Sequence, residues 1–481
     1  MRIALVHYHL RRGGVTSVVC HQARALMDAG YQVLVITGEL SADQSGIPQA
    51  RVEGLRYDSS KEFRAPGSEK IPFPEDIRKR ALVLADAIAL AMDTHWGGAA
   101  DILHVHNPLI QKNAALLPAL NILNKRGIRL LLQNHDLAED FRPDVYTGGE
   151  DYPENCHYAV INNRDYSFLH RAGLKPEGLH LLPNEVVPVP VTPGLDRTRY
   201  LYPVRAIRRK NIGEALLLSL FIAPGRSVAI TLPPTVEKDQ GRYRRWMDFA
   251  EEYGLPVEFG IGVRESLADV FGSALCIIST SVKEGFGFSF LEPWTAGRAV
   301  IGRRIDYVCG DFEAAGLRFN DLYQEIKIPM VYLAPLILRK KMERALTGIY
   351  EAFGQEPPRY LINMMGDELL SHDTVDFGRL DEESQEGIIR IVISNWVVFQ
   401  DVIKANPFLG TLADWQPDEE DIAYNSQKVA EAYGKERIVS ILKDIYKSVL
   451  DNPVSHKLSK SILLELYLDP LQMSLVGIGH V

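Results

Sequence analysis

The sequence contains few cysteines, has no excess of positive charge and lacks any long apolar run. Its four cysteines are far apart and form no Cys-x-x-Cys pair, so neither a disulfide framework nor a structural zinc site is expected. Lysine and arginine total 53 against 62 acidic residues, a formal net charge of −9. This balance argues against a partner that is nucleic acid or an anionic membrane. No apolar stretch approaches the roughly 18 residues of a spanning helix, and the apolar start is too short for a signal peptide. We therefore expect a cytoplasmic protein without a membrane span.

The chain also lacks a Gly-x-Gly-x-x-Gly motif, which counts against a dinucleotide-dependent dehydrogenase. Its first residues instead show the apolar pattern of a strand, then that of a helix, and then that of a strand again. A strand at residues 3–8 is followed by a helix that Gly30 closes and by a second strand at residues 31–37. This order predicts a parallel, doubly wound sheet, in which ligands bind beyond the carboxyl ends of the strands. The pair Gly13-Gly14 lies in the first such loop and is a pocket candidate, although a tight turn alone would also explain it.

The length of 481 residues exceeds one ordinary core, so two domains are expected. Prolines at positions 183, 188, 190 and 193 favour stiff, extended backbone. We place the boundary there, with one domain at residues 1–190 and a second at residues 191–450. Two segments, 364–380 and 407–421, have the pattern of insertions without a clear role.

The most informative stretch runs from Ser279 to Ile301. A short apolar run precedes it, and the turn Gly285-Phe286-Gly287 is followed by a predicted helix that begins near Ser289 and carries Glu292 and Trp294. Strand, glycine turn and helix together present backbone N–H groups to an anion. Glu284 and Glu292 stand on either side of the turn, and a carboxylate there would repel a phosphate but accept hydrogen bonds from hydroxyls. Phosphate on the turn and hydroxyls on the acids describe a sugar nucleotide.

Glu284 and Glu292, with seven residues between them, match the E-x7-E pattern of retaining glycosyltransferases of the GT-B type. The chain from Val257 to Ile301 resembles that family almost throughout. The resemblance implies an α/β fold of two doubly wound Rossmann-like domains that face a central cleft. The N-terminal domain would bind the acceptor and the C-terminal domain the donor, and residues 451–481 would form a helix that crosses back to the first domain. After Ile301 the sequence GRRIDYVCGDFEAAG replaces the family's glycine-rich loop, so contacts there are not transferred.

The resemblance also implies roles for particular residues. Glu284 would hold the hydroxyls of the hexose together with the N–H groups of Phe286, Gly287 and Phe288, and Glu292 would bind the ribose. Arg205 and Lys210 match the basic pair that grips the donor diphosphate, with Arg208 or Arg209 as replacements if the register differs. Fixed cations would stabilise the charge that builds up on the leaving diphosphate. His135, at a strand end, would contact the donor sugar, and Gly13 and Gly14 would lie near the diphosphate.

The acceptor is inferred from three arginines in predicted loops, Arg11, Arg12 and Arg142. Arginine binds carboxylate and phosphate through bidentate hydrogen bonds, so the acceptor would be a small anion such as a sugar acid or sugar phosphate. It is equally simple to explain these three arginines as surface residues that contact only solvent and bind no acceptor.

The sequence thus predicts a retaining hexosyltransferase that moves a hexose from GDP-mannose or UDP-glucose to a hydroxyl of a small acceptor. No metal or other cofactor is expected, since no metal-ligating constellation stands out and similar enzymes need none. Nucleic-acid partners are not expected, and a homo-oligomer is compatible with the sequence. The alternatives are a UDP-sugar epimerase of the same fold and a non-catalytic protein that binds sugar nucleotides.

Overall fold

The computed structural model describes residues 1–11, 13–41, 46–58, 74–148 and 152–475. The chain forms two compact units. The first contains Met1–Glu185, Ala352–Gly354 and Tyr433–Asp469, and the second contains Val186–Glu351, Gln355–Ala432 and the residues from Pro470 onward. The division after Glu185 lies five residues before the boundary drawn from the prolines.

The first unit is built on a seven-stranded parallel sheet of order β3-β2-β1-β4-β5-β6-β7. Its strands are β1 (Arg2–His7), β2 (Gln32–Thr37), β3 (Gln49–Arg51), β4 (Ile102–His106), β5 (Leu130–Asn134), β6 (His157–Val160) and β7 (Leu179–Leu181). The helices between them are α1 (Gly14–Asp28), α2 (Pro74–Trp96), α3 (Leu116–Lys125) and α4 (Asn163–Arg171). Apolar clusters cover both faces of the sheet, which is why its central strands are almost continuously apolar.

The second unit contains a six-stranded parallel sheet of order β10-β9-β8-β11-β12-β13. Its strands are β8 (Arg199–Arg205), β9 (Ser227–Leu232), β10 (Val257–Phe259), β11 (Ala274–Ser279), β12 (Val300–Arg303) and β13 (Leu322–Tyr323). The helices up to the last of these strands are α5 (Ile212–Leu218), α6 (Glu237–Glu252), α7 (Ile261–Arg264), α8 (Leu267–Gly272), α9 (Glu292–Thr295) and α10 (Asp306–Ala314). Apolar clusters again lie on both faces, so this unit is doubly wound as predicted.

The rest of the second unit is mainly helical. It contains β14 (Lys327–Pro329), α11 (Pro335–Ala352), α12 (Arg359–Ser371), β15 (Thr374–Asp376), α13 (Glu382–Ser394), α14 (Trp396–Ala405) and α15 (Glu419–Tyr433). The segment 364–380 therefore holds the end of α12 and the strand β15, which pairs antiparallel with β14. The segment 407–421 begins with a 3₁₀ helix, Pro407–Asp414, whose buried Leu409 and Leu412 join the main core of the unit.

Two C-terminal helices belong to the first unit, α16 (Lys435–Asp451) and α17 (Lys460–Tyr467). The sequence had placed residues 433–450 in the second domain. The apolar side of α16 decides otherwise, because Leu442, Ile445 and Tyr446 are buried against the first sheet. The Tyr446 hydroxyl also lies 2.9 Å from Nδ1 of His104 on β4. At roughly 1.5–3 kcal/mol for each fully buried large apolar side chain, this face holds the helix firmly.

None of the helices in the described part of the chain combines the length and the apolar character that a membrane span requires.

Candidate active site

The candidate site of the second unit lies at the carboxyl edge of its sheet. Strands β8 and β11 are hydrogen-bonded neighbours, so the loops that follow them start side by side. The first loop carries the basic run Arg208–Lys210 as a 3₁₀ turn, and the second carries Glu284 and the glycine turn. This edge is where parallel sheets of this kind bind ligands.

Lys210 and Glu284 form a direct ion pair between the two loops. Both side chains are largely buried, with 12% and 8% of their surfaces exposed. Burial raises the pKa of Glu284, but the charges of Lys210 and Arg209 and a hydrogen bond from Lys210 outweigh it, and the pKa lies below its ordinary value. Glu284 is therefore a carboxylate at neutral pH, held beside an ammonium group.

The other basic residues of this edge differ in which groups they contact. Arg209 places Nη1 3.6 Å from Oε2 of Glu284, whereas Arg208 forms a bidentate pair with Glu382 at 2.8 and 2.9 Å. Arg205, at the end of β8, donates to the carbonyl of Pro233 at 3.1 Å. The structure thus brings Lys210, Arg209 and Glu284 together. The Arg205 side chain instead donates its hydrogen bond to the end of the neighbouring strand β9.

The position of Lys210 is fixed through its backbone. Its carbonyl accepts hydrogen bonds from the Tyr202 hydroxyl at 2.8 Å and from the Thr280 hydroxyl at 3.0 Å. The next residue, Asn211, has left-handed backbone with φ of 50°, a conformation that asparagine tolerates better than most residues. Its side chain donates to Glu214 at 2.8 Å, and Glu214 is bound by the buried Arg303. A rigid network therefore underlies the basic loop.

The glycine turn has a tighter form than the sequence predicted. Gly287 has φ of 94°, and a Cβ there would lie 2.5 Å from a methyl carbon of Val308, so the fold itself requires glycine. Phe286 is buried and packs against Phe288, with ring centroids 5.0 Å apart. The predicted helix from Ser289 is instead a 3₁₀ turn, Phe288–Phe290, followed by the four-residue helix α9.

Glu292 is the first residue of α9 and has no hydrogen-bond or ion-pair partner for its carboxyl among the described residues. Burial raises the pKa of Glu292 to about 7. A half-buried carboxyl without a protein partner is suited to a ligand hydroxyl, which can donate to its ionised form.

Tyr307, on α10, is a site residue that the sequence did not indicate. Its hydroxyl accepts a hydrogen bond from the Glu284 N–H at 3.1 Å and donates one to the Glu284 carbonyl at 2.5 Å. One side chain therefore satisfies both backbone groups of the central carboxylate residue. The residue belongs to the stretch after Ile301 that departs from the family pattern, so no motif pointed to it.

We expect Tyr307→Phe to lower kcat/KM for the donor by about 10-fold, because both backbone groups of Glu284 lose their partner at a cost of about 1–2 kcal/mol. Steady-state kinetics with varied donor measures this. Tyr360→Phe is the matched control, since Tyr360 is 84% exposed in the same unit. Unchanged donor kinetics in Tyr307→Phe would show that the clamp on Glu284 has no role in the site.

The predicted residues of the first unit also lie at the carboxyl edge of its sheet. Gly13 is the N-cap of α1, and a Cβ built on Gly13 or Gly14 would meet no atom of the described residues closer than 3.9 Å. The described part of the chain thus leaves space beside this glycine pair. His135 is buried, with Nε2 3.2 Å from Nδ1 of His106, and burial lowers the pKa of His135 to about 4, so its ring is neutral at pH 7.

Two of the three predicted acceptor arginines have acidic partners. Arg11 is 67% exposed at its side chain and binds Glu39 at 2.5 Å. Arg142 is 31% exposed and binds Asp136 at 2.5 Å. Arg12 lies outside the described residues. Within the described part of the chain, no group of three or more histidine, cysteine or acidic residues is placed to hold a metal ion.

Comparisons with known proteins agree with this architecture. Residues 12–184 match the model of Glycosyltransferase Family 4. The chain is 25% identical to mannosylglucosyl-3-phosphoglycerate synthase of Petrotoga mobilis, over 79% of each chain.

Among solved structures, sucrose-phosphate synthase from Thermosynechococcus elongatus is similar with a TM-score of 0.52 and 15% identity, over 93% of this chain and 98% of the other. HepE of Anabaena, in complex with UDP and glucose, is similar with a TM-score of 0.53 and 12% identity, over 93% of this chain and 99% of the other. The predicted fold of two doubly wound α/β units is confirmed.

Proposed function

We propose that this chain, a glycosyltransferase of the GT-B fold that acts on nucleotide sugars, transfers a hexose from GDP-mannose or UDP-glucose to a small anionic acceptor with retention of configuration. The observation that carries the proposal is the buried pair of Lys210 and Glu284 beside the glycine turn. A cation and a carboxylate held together at one sheet edge suit a donor that has both a diphosphate and a hydroxyl-rich sugar.

In this proposal each residue of the site binds a different part of the donor. Lys210 and Arg209 stabilise the diphosphate, with Arg205 as a further cation at the same edge. Glu284 accepts hydrogen bonds from the hexose hydroxyls, and the backbone N–H groups of Phe286, Gly287 and Phe288 contribute to the same binding. The unpartnered Glu292 binds the ribose hydroxyls. His135 contacts the donor sugar, and Gly13 and Gly14 lie near its diphosphate.

The chemical step breaks the bond between the anomeric carbon and the phosphate oxygen and forms a bond from that carbon to the acceptor oxygen. The proton of the acceptor hydroxyl passes to the departing phosphate oxygen, so no enzyme nucleophile is required. Fixed positive charge lowers the barrier because negative charge grows on the leaving group. We propose that no metal ion takes part, since the cations of the protein supply this charge.

The anionic acceptor has support from the relative in Petrotoga mobilis, whose name describes a product with mannosyl, glucosyl and 3-phosphoglycerate parts. We propose that the acceptor here is likewise a sugar acid or sugar phosphate. A cytoplasmic location accords with the four cysteines, which are all buried and free of disulfides, as in proteins of a reducing compartment.

We expect Arg142→Ala and Arg11→Ala each to raise the KM for the acceptor by about 10-fold, because a lost charge-assisted hydrogen bond costs roughly 1.5–3 kcal/mol. The KM for the donor should change little. Arg171→Ala, at the exposed end of α4, is the control. Unaltered acceptor KM values in both variants would remove these arginines from the acceptor site.

The proposal is tested by incubating the protein with GDP-mannose or UDP-glucose, with and without sugar acids and sugar phosphates, and by measuring free nucleotide and product. Release of GDP or UDP that depends on an acceptor, with an α-linked product, supports it. Conversion of the donor without an acceptor would indicate an epimerase instead, and donor binding without turnover would indicate a binding protein.

A further inference from the structure

A cluster of four side chains at the carboxyl edge of the first sheet, which we call the lysine cluster, consists of Lys112, Tyr57, His9 and His7. Nζ of Lys112 lies 4.7 Å from the centroid of the Tyr57 ring. The His9 ring is 4.9 Å from Tyr57 and 5.4 Å from His7. The four side chains thus form a continuous group of one ammonium, one phenol ring and two imidazoles.

Lys112 has no carboxylate within ion-pair distance among the described residues. Burial lowers the pKa of Lys112, and the charge of Arg142 lowers it further, while Asp136 raises it. A lysine removed from water normally has an anionic partner, because an unpaired buried charge is costly. The contact with the face of Tyr57 compensates only in part. Among the described residues, Lys112 therefore lacks the anionic partner that its environment favours, and an anionic ligand would supply one.

His7 provides a second and independent observation. Its side chain is 2% exposed, and Nδ1 is buried without a hydrogen-bond partner among the described residues. Burial lowers the pKa of His7 to about 3, and a hydrogen bond to the backbone of His106 opposes this, so the ring is neutral at pH 7. A buried polar atom without a partner costs about 1–3 kcal/mol. A ligand hydroxyl, which can both donate and accept, would satisfy Nδ1.

The loop that carries Lys112 is rigid. Asn107 and Gln111 both have left-handed backbone, with φ of 60° and 57°, which costs on the order of 1 kcal/mol or more at each residue. Side-chain bonds hold both in place: Oδ1 of Asn107 accepts from the N–H of Asp136 at 2.8 Å, and the Gln111 amide donates to the Tyr152 hydroxyl at 2.7 Å. Asn113 further ties the loop to the carbonyl of Gly54 at 2.8 Å. Lys112 is thus presented from a fixed backbone.

We propose that Lys112 binds the anionic group of the acceptor, a phosphate or a carboxylate, and that Nδ1 of His7 forms a hydrogen bond with a hydroxyl of the same molecule. The ligand class is a small hydroxylated anion. This inference rests on the proposed function, because it gives the acceptor of that reaction its site on the first unit.

Isothermal titration calorimetry of the full chain with three probes tests the inference. Inorganic phosphate offers only an anion, glycerol 3-phosphate adds hydroxyls to a phosphate, and glycerate adds hydroxyls to a carboxylate. We expect Lys112→Met to weaken binding of each probe that the wild type binds by about 10–100-fold, the loss of one charge-assisted bond. Methionine keeps an unbranched side chain and removes only the charge. Lys112→Arg should retain most of the affinity.

Two further variants separate a binding role from a structural one. Lys125→Met, at the exposed end of α3, should bind every probe as the wild type does. His7→Phe should weaken glycerol 3-phosphate and glycerate but leave inorganic phosphate unchanged. Donor binding, measured on all variants, and thermal unfolding, measured on the lysine variants, should match the wild type. The relative affinities of the two hydroxylated probes decide whether the anion is a phosphate or a carboxylate.

The outcome is independent of the transfer assay. If no acceptor supports transfer but Lys112→Met still weakens probe binding, the lysine cluster is confirmed as an anion site and the proposed reaction fails. If the wild type binds no probe up to about 10 mM, or if Lys112→Met binds as the wild type does, the inference about Lys112 is overturned, whatever the transfer assay shows.

Discussion

Lys210→Ala is expected to lower kcat by about 10²–10³-fold, the loss seen when one fixed group that stabilises charge in a transition state is removed. The physical reason is that Lys210 is largely buried and held at its carbonyl by Tyr202 and Thr280. Its ammonium is therefore preorganised for the leaving diphosphate. Steady-state kinetics with saturating donor and acceptor measures the effect. An unchanged kcat would mean that Lys210 does not stabilise the leaving group.

The ion pair adds a second consequence. Without Lys210, the carboxylate of Glu284 keeps Arg209 at 3.6 Å but loses its direct partner. Breaking a buried pair from one side costs roughly 3–5 kcal/mol, so Lys210→Ala should also lower the melting temperature. The double variant Lys210→Met with Glu284→Gln removes both charges and should regain most of that stability. Activity should stay lost in the double variant, because neither the diphosphate nor the hexose finds its charged partner. This contrast separates catalysis from folding.

The second large effect is acid destabilisation of the first unit. Burial lowers the pKa of His7 and His104 to about 3 and of His135 and His180 to about 4, and that of His106 well below its usual value. A histidine with a depressed pKa contributes stability that is complete above the unfolded pKa of about 6.5 and is lost as the pH falls toward the folded pKa. Between about pH 6 and 5 these five histidines therefore bind four to five more protons in the unfolded chain than in the folded chain.

Those protons correspond to a loss of about 6 kcal/mol in the free energy of unfolding per pH unit. Burial also raises the pKa of Glu139 to about 7, and this acid opposes the trend by a smaller amount. Since domains are stable by only about 5–15 kcal/mol, we expect the first unit to unfold near pH 5. Denaturant unfolding at pH 7.5, 6 and 5 measures the slope. A free energy of unfolding that is flat over this range would contradict the burial of these histidines.

The second unit is an internal control for this prediction. Its one described histidine is His372, which is exposed on the surface. Hydrogen exchange followed by mass spectrometry at pH 7 and 5 should therefore show protection lost first in peptides of β1, β4 and β5. Peptides of β8 and β11 should keep theirs at the same pH. The variant His180→Asn should reduce the slope by about one proton, because burial lowers the pKa of His180 to about 4 and asparagine does not titrate.

Much of the fold could be predicted from the sequence because its signals are local. The apolar strands, the Gly30 stop and the glycine turn each depend on residues that are neighbours in the chain. The predictions were wrong where the neighbouring residues did not contain enough information to decide the structure. The helix α16 has the same periodicity wherever it packs, so only the burial of Leu442 and Tyr446 against the first sheet places it there. The helix expected from Ser289 is interrupted because Gly287 and the 3₁₀ turn Phe288–Phe290 use its first residues.

In the candidate site, too, some features could be predicted from neighbouring residues and others depend on the tertiary structure. The sequence alone determined that Glu284 and Glu292 stand on either side of a glycine turn, since that spacing is a property of consecutive residues. Only the tertiary structure decided that Lys210, 74 residues earlier in the chain, is the direct partner of Glu284, and that Tyr307 clamps its backbone. It also revealed Lys112 beside Tyr57 and His9. Such pairs depend on which strands are neighbours in a sheet, and a pattern of adjacent residues carries no information about that order.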